Sequence, residues 1–233
     1  MTENEQKPPG PKIFLRNLVP AAWLREREIF LRLGGTAGPT YFRLRARDLV
    51  GMRTVNQRRV PPGARSFLFV CFGNIMRSPM AEAMFRRAVE QANLPGIRAS
   101  SAGIHAIPGN TPHPWAVSAS QEFGLPLTAH RAQLLTPDLV VQADVIFVMD
   151  FQNKAEILTL YPEADARVLM LSAYGSGPTR GREIADPFHT DLEGTRRCYS
   201  ALQSCIDNLA KELLIASRAS TEPRTATSSK RLA

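Results

Sequence analysis

The sequence predicts an α/β domain in which a four-stranded parallel sheet is flanked by helices on both faces, preceded by a basic, helical N-terminal extension. Two observations carry this. Between residues 66 and 215, short apolar runs rich in β-branched and aromatic residues alternate with stretches of helical periodicity, the pattern of strands joined by crossover helices. Before them, PPGAR at 61–65 marks a change of texture. The chain therefore divides into an extension (1–65), the α/β domain (66–215) and a polar, basic tail (216–233) that is expected to be disordered.

In the extension, residues 1–12 carry three prolines and few apolar groups and are expected to be disordered. Ala21–Leu33 then places Trp23, Leu24, Ile29, Phe30 and Leu33 close to helical spacing, and GGTAGP at 34–39 interrupts it. Tyr41–Met52 reads as a second basic helix or an extended segment. In the domain, Ser66–Cys71 (SFLFVC) has the short apolar run of a strand buried on both faces. Pro79–Ala92 follows as a helix with Met80, Ala83, Met84 and Ala88 on one face. Ile97–Ser101 is the second strand, and Pro114–Phe123 is a helix stopped by Gly124. Asp144–Met149 and Arg167–Leu171 are the third and fourth strands, with a helix over Gln152–Leu160 between them. Asp191–Ile215 closes the domain as a long helix whose apolar stripe is Leu192, Cys198, Leu202, Cys205, Leu209 and Leu213.

Composition bounds the function. Apolar residues make up 44% and charged residues 21%, enough to bury an ordinary core. The net charge of +8 is segregated: residues 1–65 hold 13 Lys/Arg against 5 Asp/Glu, whereas 66–217 hold 12 against 15. An acidic protein or an anionic membrane surface is thus the partner expected for residues 1–65. No specific nucleic acid is expected, because only Tyr41 and Phe42 interleave aromatic rings with the arginines. Three cysteines, an odd count, point to a reducing compartment rather than a disulfide framework. With a polar N-terminus and no run of about 20 apolar residues, the expected localisation is cytoplasmic.

The chemistry concentrates where the first strand ends, in Cys71-Phe-Gly-Asn-Ile-Met-Arg77-Ser78. A lone Cys-x5-Arg is a weak signal, but this one begins at a strand end and runs into a helix, with Pro79 in the first turn, where a missing N–H costs nothing. Such a loop aims successive amides, here of Phe72, Gly73, Asn74, Ile75 and Met76, into one concavity that suits a tetrahedral oxyanion. Gly73 and Asn74 are residue types that accept the unusual φ of a tight loop. At a helix N-terminus beside a guanidinium, Cys71 reads as a nucleophile. Arg77 can hold two phosphate oxygens at once, and Ser78 can hydrogen-bond the sulfur. A proton donor must come from elsewhere, and Asp186, followed by Pro187 in the loop after the fourth strand, is the candidate.

FLFVCFGNIMRSPMAEAMF, followed by SSAG at 100–103, AHRA at 129–132, VMD at 148–150 and ADPF at 185–188, resembles the low-molecular-weight protein tyrosine phosphatases in order and spacing. The resemblance covers about residues 66–215. It implies a cysteine-dependent phosphatase acting on phosphorylated protein, phosphotyrosine in particular, through a phosphocysteine, with no metal and no cofactor. Cys71 would be the nucleophile, Arg77 the phosphate ligand and Asp186 the general acid and then base. Asn74, Ser78 and His130 would form the network shaping the loop. Met76 stands where many members carry a second cysteine, so an intraloop disulfide is impossible. Ile107 stands where members often present an aromatic ring, leaving Phe72 and Phe188 to line the mouth. Two rival functions are arsenate reduction, which would need Cys198 and Cys205 as a disulfide relay, and a catalytically silent phosphate-binding docking module. Residues 1–65 resemble nothing in the family's minimal domain; their charge suggests a detachable tether, and the competing expectation is that the stripe of Trp23, Ile29, Phe30 and Leu33 packs on the domain as an extra layer.

Overall fold

In a computed structural model the described residues are 21–50, 59–177 and 180–221. The disorder expected for residues 1–12 and for 222–233 of the tail lies outside them, as do the side chains of Trp23 and Leu24. The order of elements is α1 (Ala21–Leu49), β1 (Ser66–Cys71), α2 (Arg77–Gln91), β2 (Arg98–Gly103), α3 (Pro114–Glu122), α4 (Pro137–Gln142), β3 (Val145–Val148), α5 (Phe151–Leu160), β4 (Val168–Met170) and α6 (Leu192–Thr221). Short 3₁₀ turns at Pro162–Arg167 and Leu171–Tyr174 flank β4.

All pairings are parallel, in the order β2-β1-β3-β4. Successive side chains of a strand point to opposite faces, and β1 shows the consequence. Phe67, Phe69 and Cys71 enter one core with α2, α3 and α6, while Leu68 and Val70 enter a second core with α4 and α5. Both faces are thus covered, as the uninterrupted apolar runs require. Because β2 lies on one side of β1 and β3 on the other, the connections leave the carboxyl ends of β1 and β3 in opposite directions. The crevice that opens there is where ligands bind in such sheets.

Several boundaries move for physical reasons. Asp144 precedes β3 rather than starting it, because its carboxylate accepts from the Arg65 and Ser66 amides (2.8 and 2.9 Å) and ties down the start of β1. α2 buries Met80, Ala81, Met84, Phe85 and Val89, leaving Ala83 and Ala88 on its flank. α4 is not visible in the periodicity, since six residues are too few. It is held by Pro137 in its first turn and by Thr136 Oγ1, which accepts from Leu139 N (3.4 Å). α6 continues past Ile215 to Thr221, so the start of the expected tail is helical.

The extension departs furthest from expectation. GGTAGP does not separate two helices by six residues; the helical path breaks at Gly34 alone (φ 63°, ψ −160°). A straight helix would put residues 26 and 45 about 28 Å apart, yet Arg45 Nη2 lies 2.5 Å from Glu26 Oε1. The limbs 21–33 and 35–49 therefore fold back on each other. Gly38 makes room at the crossing, where a Cβ would stand 3.2 Å from the Phe30 ring. Leu33, Ala37, Tyr41 and Leu44 are buried in the same core as Leu68 and Val70, and α1 packs on α5. This is an integrated outer layer, in contrast to the tether that charge segregation suggests. The stretch from Val60 to Ala64 also packs on the domain, the Val60 amide donating to Tyr174 Oη (2.9 Å).

Candidate active site

The loop from Cys71 to Arg77 closes around the sulfur. Cys71 Sγ lies 3.0 Å from Ser78 Oγ and accepts from the Asn74 amide at 3.3 Å. Asn74 is the pivot. Its φ of 54° lies in the left-handed region, which asparagine tolerates better than most residues. Its side chain is fully buried and saturated: Nδ2 donates to Ser78 Oγ (2.8 Å) and Ser101 Oγ (2.9 Å), and Oδ1 accepts from Gln133 N (2.8 Å). His130 Nε2 donates to the Asn74 carbonyl (2.8 Å), which fixes the proton on that nitrogen. Ser78 Oγ also reaches the Ala102 carbonyl at 3.2 Å. The sequence-predicted network of Asn74, Ser78 and His130 is thus assembled around Cys71.

Gly73 is a correction. Asn74 alone takes the left-handed backbone in this loop, and a Cβ on Gly73 would meet only the Ile75 side chain, at 3.5 Å. The glycine the loop cannot do without is Gly103, at the end of β2. A Cβ there would stand 2.7 Å from Asn74 N and 2.8 Å from both Gly73 C and Phe72 O. The loop lies directly on the β2 backbone, and only glycine permits the approach.

Arg77 opens α2 with its side chain only 2% exposed. Nη1 donates to Asp150 Oδ2 (2.6 Å) and the Ile184 carbonyl (3.1 Å), and Nη2 to Asp186 Oδ2 (2.6 Å). Burial opposes the guanidinium charge, but the carboxylates of Asp150 and Asp186 outweigh it and hold Arg77 protonated well beyond its ordinary range. Asp150 comes from the end of β3 and also caps α5, accepting from Asn153 N (2.7 Å). Asp186 is 39% exposed, at the rim. Its loop is drawn to the end of β3 by Ile184 N donating to the Met149 carbonyl (2.8 Å).

Around Cys71 and Arg77 opens a cleft of about 1130 Å³. Phe72, Ile75, Met76, Ile107, Asp186 and Phe188 line it on the domain side, and Glu28, Ile29 and Arg32 of α1 line the other. The Phe72 ring lies between His105 (centroids 4.6 Å apart) and the Arg32 guanidinium (5.6 Å). Met76 is buried, its carbonyl accepting from Tyr199 Oη (3.3 Å). Among the described residues no cluster of three or more His, Cys, Asp or Glu could hold a metal ion.

The sequence assigns no role to Asp150, Gly103 or Ser101, and none in the active site to α1. Asp150 and Gly103 sit in the VMD and SSAG stretches quoted above, so their places were visible but not their tasks.

The sequence profile described as low molecular weight phosphotyrosine protein phosphatase matches residues 66–218. The chain belongs to that family. It is 38% identical over 143 residues to the probable low molecular weight protein-tyrosine-phosphatase EpsP of Ralstonia nicotianae, covering 61% of this chain and 92% of that one. Among solved structures, the YwlE arginine phosphatase from Geobacillus stearothermophilus superposes with a TM-score of 0.59 at 32% identity, over 69% of this chain and 98% of that one. The tyrosine phosphatase Wzb from Escherichia coli K30, in complex with sulphate, does so at 0.58 and 29% identity, over 64% and 99%. The family match begins at Ser66, so α1 lies outside it. This is a phosphatase of the low-molecular-weight type, acting on phosphorylated protein, with a helical layer added at its N-terminus.

Proposed function

We propose that the chain hydrolyses phosphotyrosine in proteins through a phosphocysteine on Cys71. The observation that carries this is the Cys71 sulfur, held by a hydroxyl and a backbone amide at the mouth of α2 beside a buried, charged Arg77. In the first step the thiolate attacks phosphorus, the bond from phosphorus to the leaving oxygen breaks, and Asp186 supplies that oxygen's proton. The loop amides and Arg77 take up the charge on the equatorial oxygens. For this to happen, phosphate oxygens take over Arg77 Nη2 from Asp186, freeing the carboxyl to face the leaving group. In the second step a water attacks the phosphocysteine, Asp186 accepts its proton, and the sulfur leaves as a thiolate stabilised by Ser78 and the Asn74 amide.

Phe72, Ile75, Ile107 and Phe188 give the mouth apolar surface that suits a phenyl ring. Phosphoarginine is the second reading, favoured by Glu28, which lines the same cleft and suits a guanidinium. Arsenate reduction is disfavoured: Cys198 and Cys205 are buried in the core, and burial pushes both thiols up to about 12. Among the described residues no helix is long and apolar enough to cross a membrane; a cytoplasmic setting is part of this reading.

The test is kcat/KM on matched peptides carrying phosphotyrosine, phosphoarginine and phosphoserine, with Cys71→Ser as control. We expect the phosphotyrosine peptide to lead by at least about tenfold, the scale set by one well-placed specificity contact. A lead for phosphoarginine would replace the substrate assignment, and activity retained in Cys71→Ser would remove the nucleophile.

A further inference from the structure

Between α1 and the loop that bears Asp186 lies a charged cluster that the catalytic steps above do not use. Arg45, on the second limb of α1, donates to Glu26 of the first limb through Nε (2.9 Å) and Nη2 (2.5 Å). Tyr41 Oη donates to the same carboxylate (2.7 Å). Arg45 Nη2 also lies 2.8 Å from Glu183 Oε2, and its guanidinium carbon sits 5.2 Å from the Phe151 ring centroid. Glu183 Oε1 accepts from the Phe151 amide (2.9 Å), at the start of the helix that Asp150 caps. The next residue, Ile184, is clamped at both ends of its peptide unit, by Met149 O and by Arg77 Nη1. Asp186 follows two residues later.

Glu183 is half-buried; burial and the nearby Asp150 charge push its carboxyl up, while Arg45 pulls it down. A carboxylate in such a place needs its counter-charge to stay where it is. The matched family domain contains Glu183 but not Arg45, which comes from the added layer.

We propose that Arg45 is a positioning residue for the acid step: by pairing with Glu183 it fixes segment 183–186 against the end of β3 and so aims Asp186 at the leaving oxygen. This rests on Asp186 being the general acid. It makes the N-terminal layer part of the catalytic apparatus rather than an appendage. Arg45 lines the cleft, but its partners are Glu26, Glu183 and the Tyr41 and Phe151 rings rather than Cys71 or Arg77, so its effect should appear through Asp186.

The experiment uses the full chain and a series of aryl phosphates of graded leaving-group pKa. Five variants are compared with wild type: Asp186→Asn, Arg45→Met, Arg45→Lys, Glu183→Gln, and the double variant Arg45→Met/Asp186→Asn. Asp186→Asn should slow poor leaving groups far more than activated ones, which establishes the acid itself. Arg45→Met should lower kcat about 3- to 30-fold on the poorest leaving group and no more than about 2-fold on the best, with KM little changed, as expected when two residues act as one unit. The double variant should be no slower than Asp186→Asn alone, since a missing acid cannot be misplaced. Arg45→Lys should recover part of the loss. Glu183→Gln keeps the loop's shape and breaks only the charge pairing, so it should reproduce the Arg45→Met pattern even if that variant folds poorly. If Asp186→Asn keeps its leaving-group dependence while Arg45→Met and Glu183→Gln slow all substrates equally, slow none, or multiply with Asp186→Asn, the positioning role is wrong and the acid stands. A flat series for Asp186→Asn overturns both.

Discussion

The two walls of the cleft are built on different principles. The wall made by β1 and the start of α2 is local and dry. Cys71, Asn74, Arg77 and Ser78 lie within eight residues and are buried; Cys71 and Ser78 pair inside the wall, Asn74 also with β2 and the 130–133 segment, and Arg77 alone reaches across to Asp150, Ile184 and Asp186. The opposite wall, made by the Asp186 loop and α1, is assembled from distant parts of the chain and held by charge: Arg45 to Glu183, Arg32 to Gln152. The first wall is fixed by contacts close in sequence. In the second, Arg45 reaches Glu183 from outside the family domain and holds segment 183–186, while Asp186 itself stands 39% exposed at the rim, where it can release Arg77, donate a proton and take one back. Phosphate is held by local geometry, and the proton donor is placed by long-range geometry.

This contrast predicts a ranking of substitutions. The largest effect should come from Arg77→Lys in the dry wall. A point charge cannot replace the planar fork or satisfy both Asp150 and Asp186, so kcat should fall on the order of 10²–10³-fold, the usual cost of losing an oriented donor to the transition state. Steady-state kinetics on an activated aryl phosphate reads this, and near-normal turnover would remove Arg77 from its place in the wall.

Gly103→Ala should come next. Its Cβ would collide with backbone rather than with a flexible side chain, so the loop itself must move. We expect a stability loss of about 1–3 kcal/mol, typical of overpacking. Turnover should fall together with phosphate affinity, since the amides that bind phosphate are displaced. Unchanged phosphate binding by calorimetry would mean that the loop does not depend on β2.

A smaller effect on chemistry, but a clear one on stability, is expected from deleting residues 1–58. The deletion uncovers the core face now closed by Leu33, Ala37, Tyr41 and Leu44. At roughly 1.5–3 kcal/mol for each large buried apolar side chain and about 2–4 °C per kcal/mol in a chain this size, the melting midpoint should drop by on the order of 10 °C. An unchanged midpoint would restore the tether that charge segregation suggests and would make the second wall dispensable.

What could be read from the sequence divides along the same line. The four strands, the helices between them other than α4, and the loop from Cys71 to Ser78 were legible because each is fixed by neighbours in sequence: an apolar run, a turn residue, a proline in a first turn. Asp186 was legible through Asp-Pro and its place after the last strand. Gly103 and Asp150 were not, because their tasks are set across strands, by the parallel neighbours of β1. Whether α1 is a tether or a packed layer stayed open in the sequence for a related reason. Arg45 and Arg32 look like solvated charge in sequence, and only the fold shows their partners on α5 and the Asp186 loop. The kink fell within the expected break, but the fold-back at Gly34 depends on Glu26 meeting Arg45 and Tyr41, 19 and 15 residues away.

The most direct test of the chemistry proposed for the dry wall is to catch the covalent intermediate. Asp186→Asn, mixed with an aryl phosphate bearing an activated leaving group, still forms the phosphocysteine but lacks the base that speeds its hydrolysis. Rapid denaturing quench followed by peptide mass spectrometry should find phosphate on Cys71, in the peptide containing Arg77, and none in Cys71→Ala treated under the same turnover conditions and washed free of substrate. Turnover by the wild type with no phosphate on Cys71 in the trapping variant, or phosphate found on another residue, would contradict the assignment of Cys71 as the nucleophile.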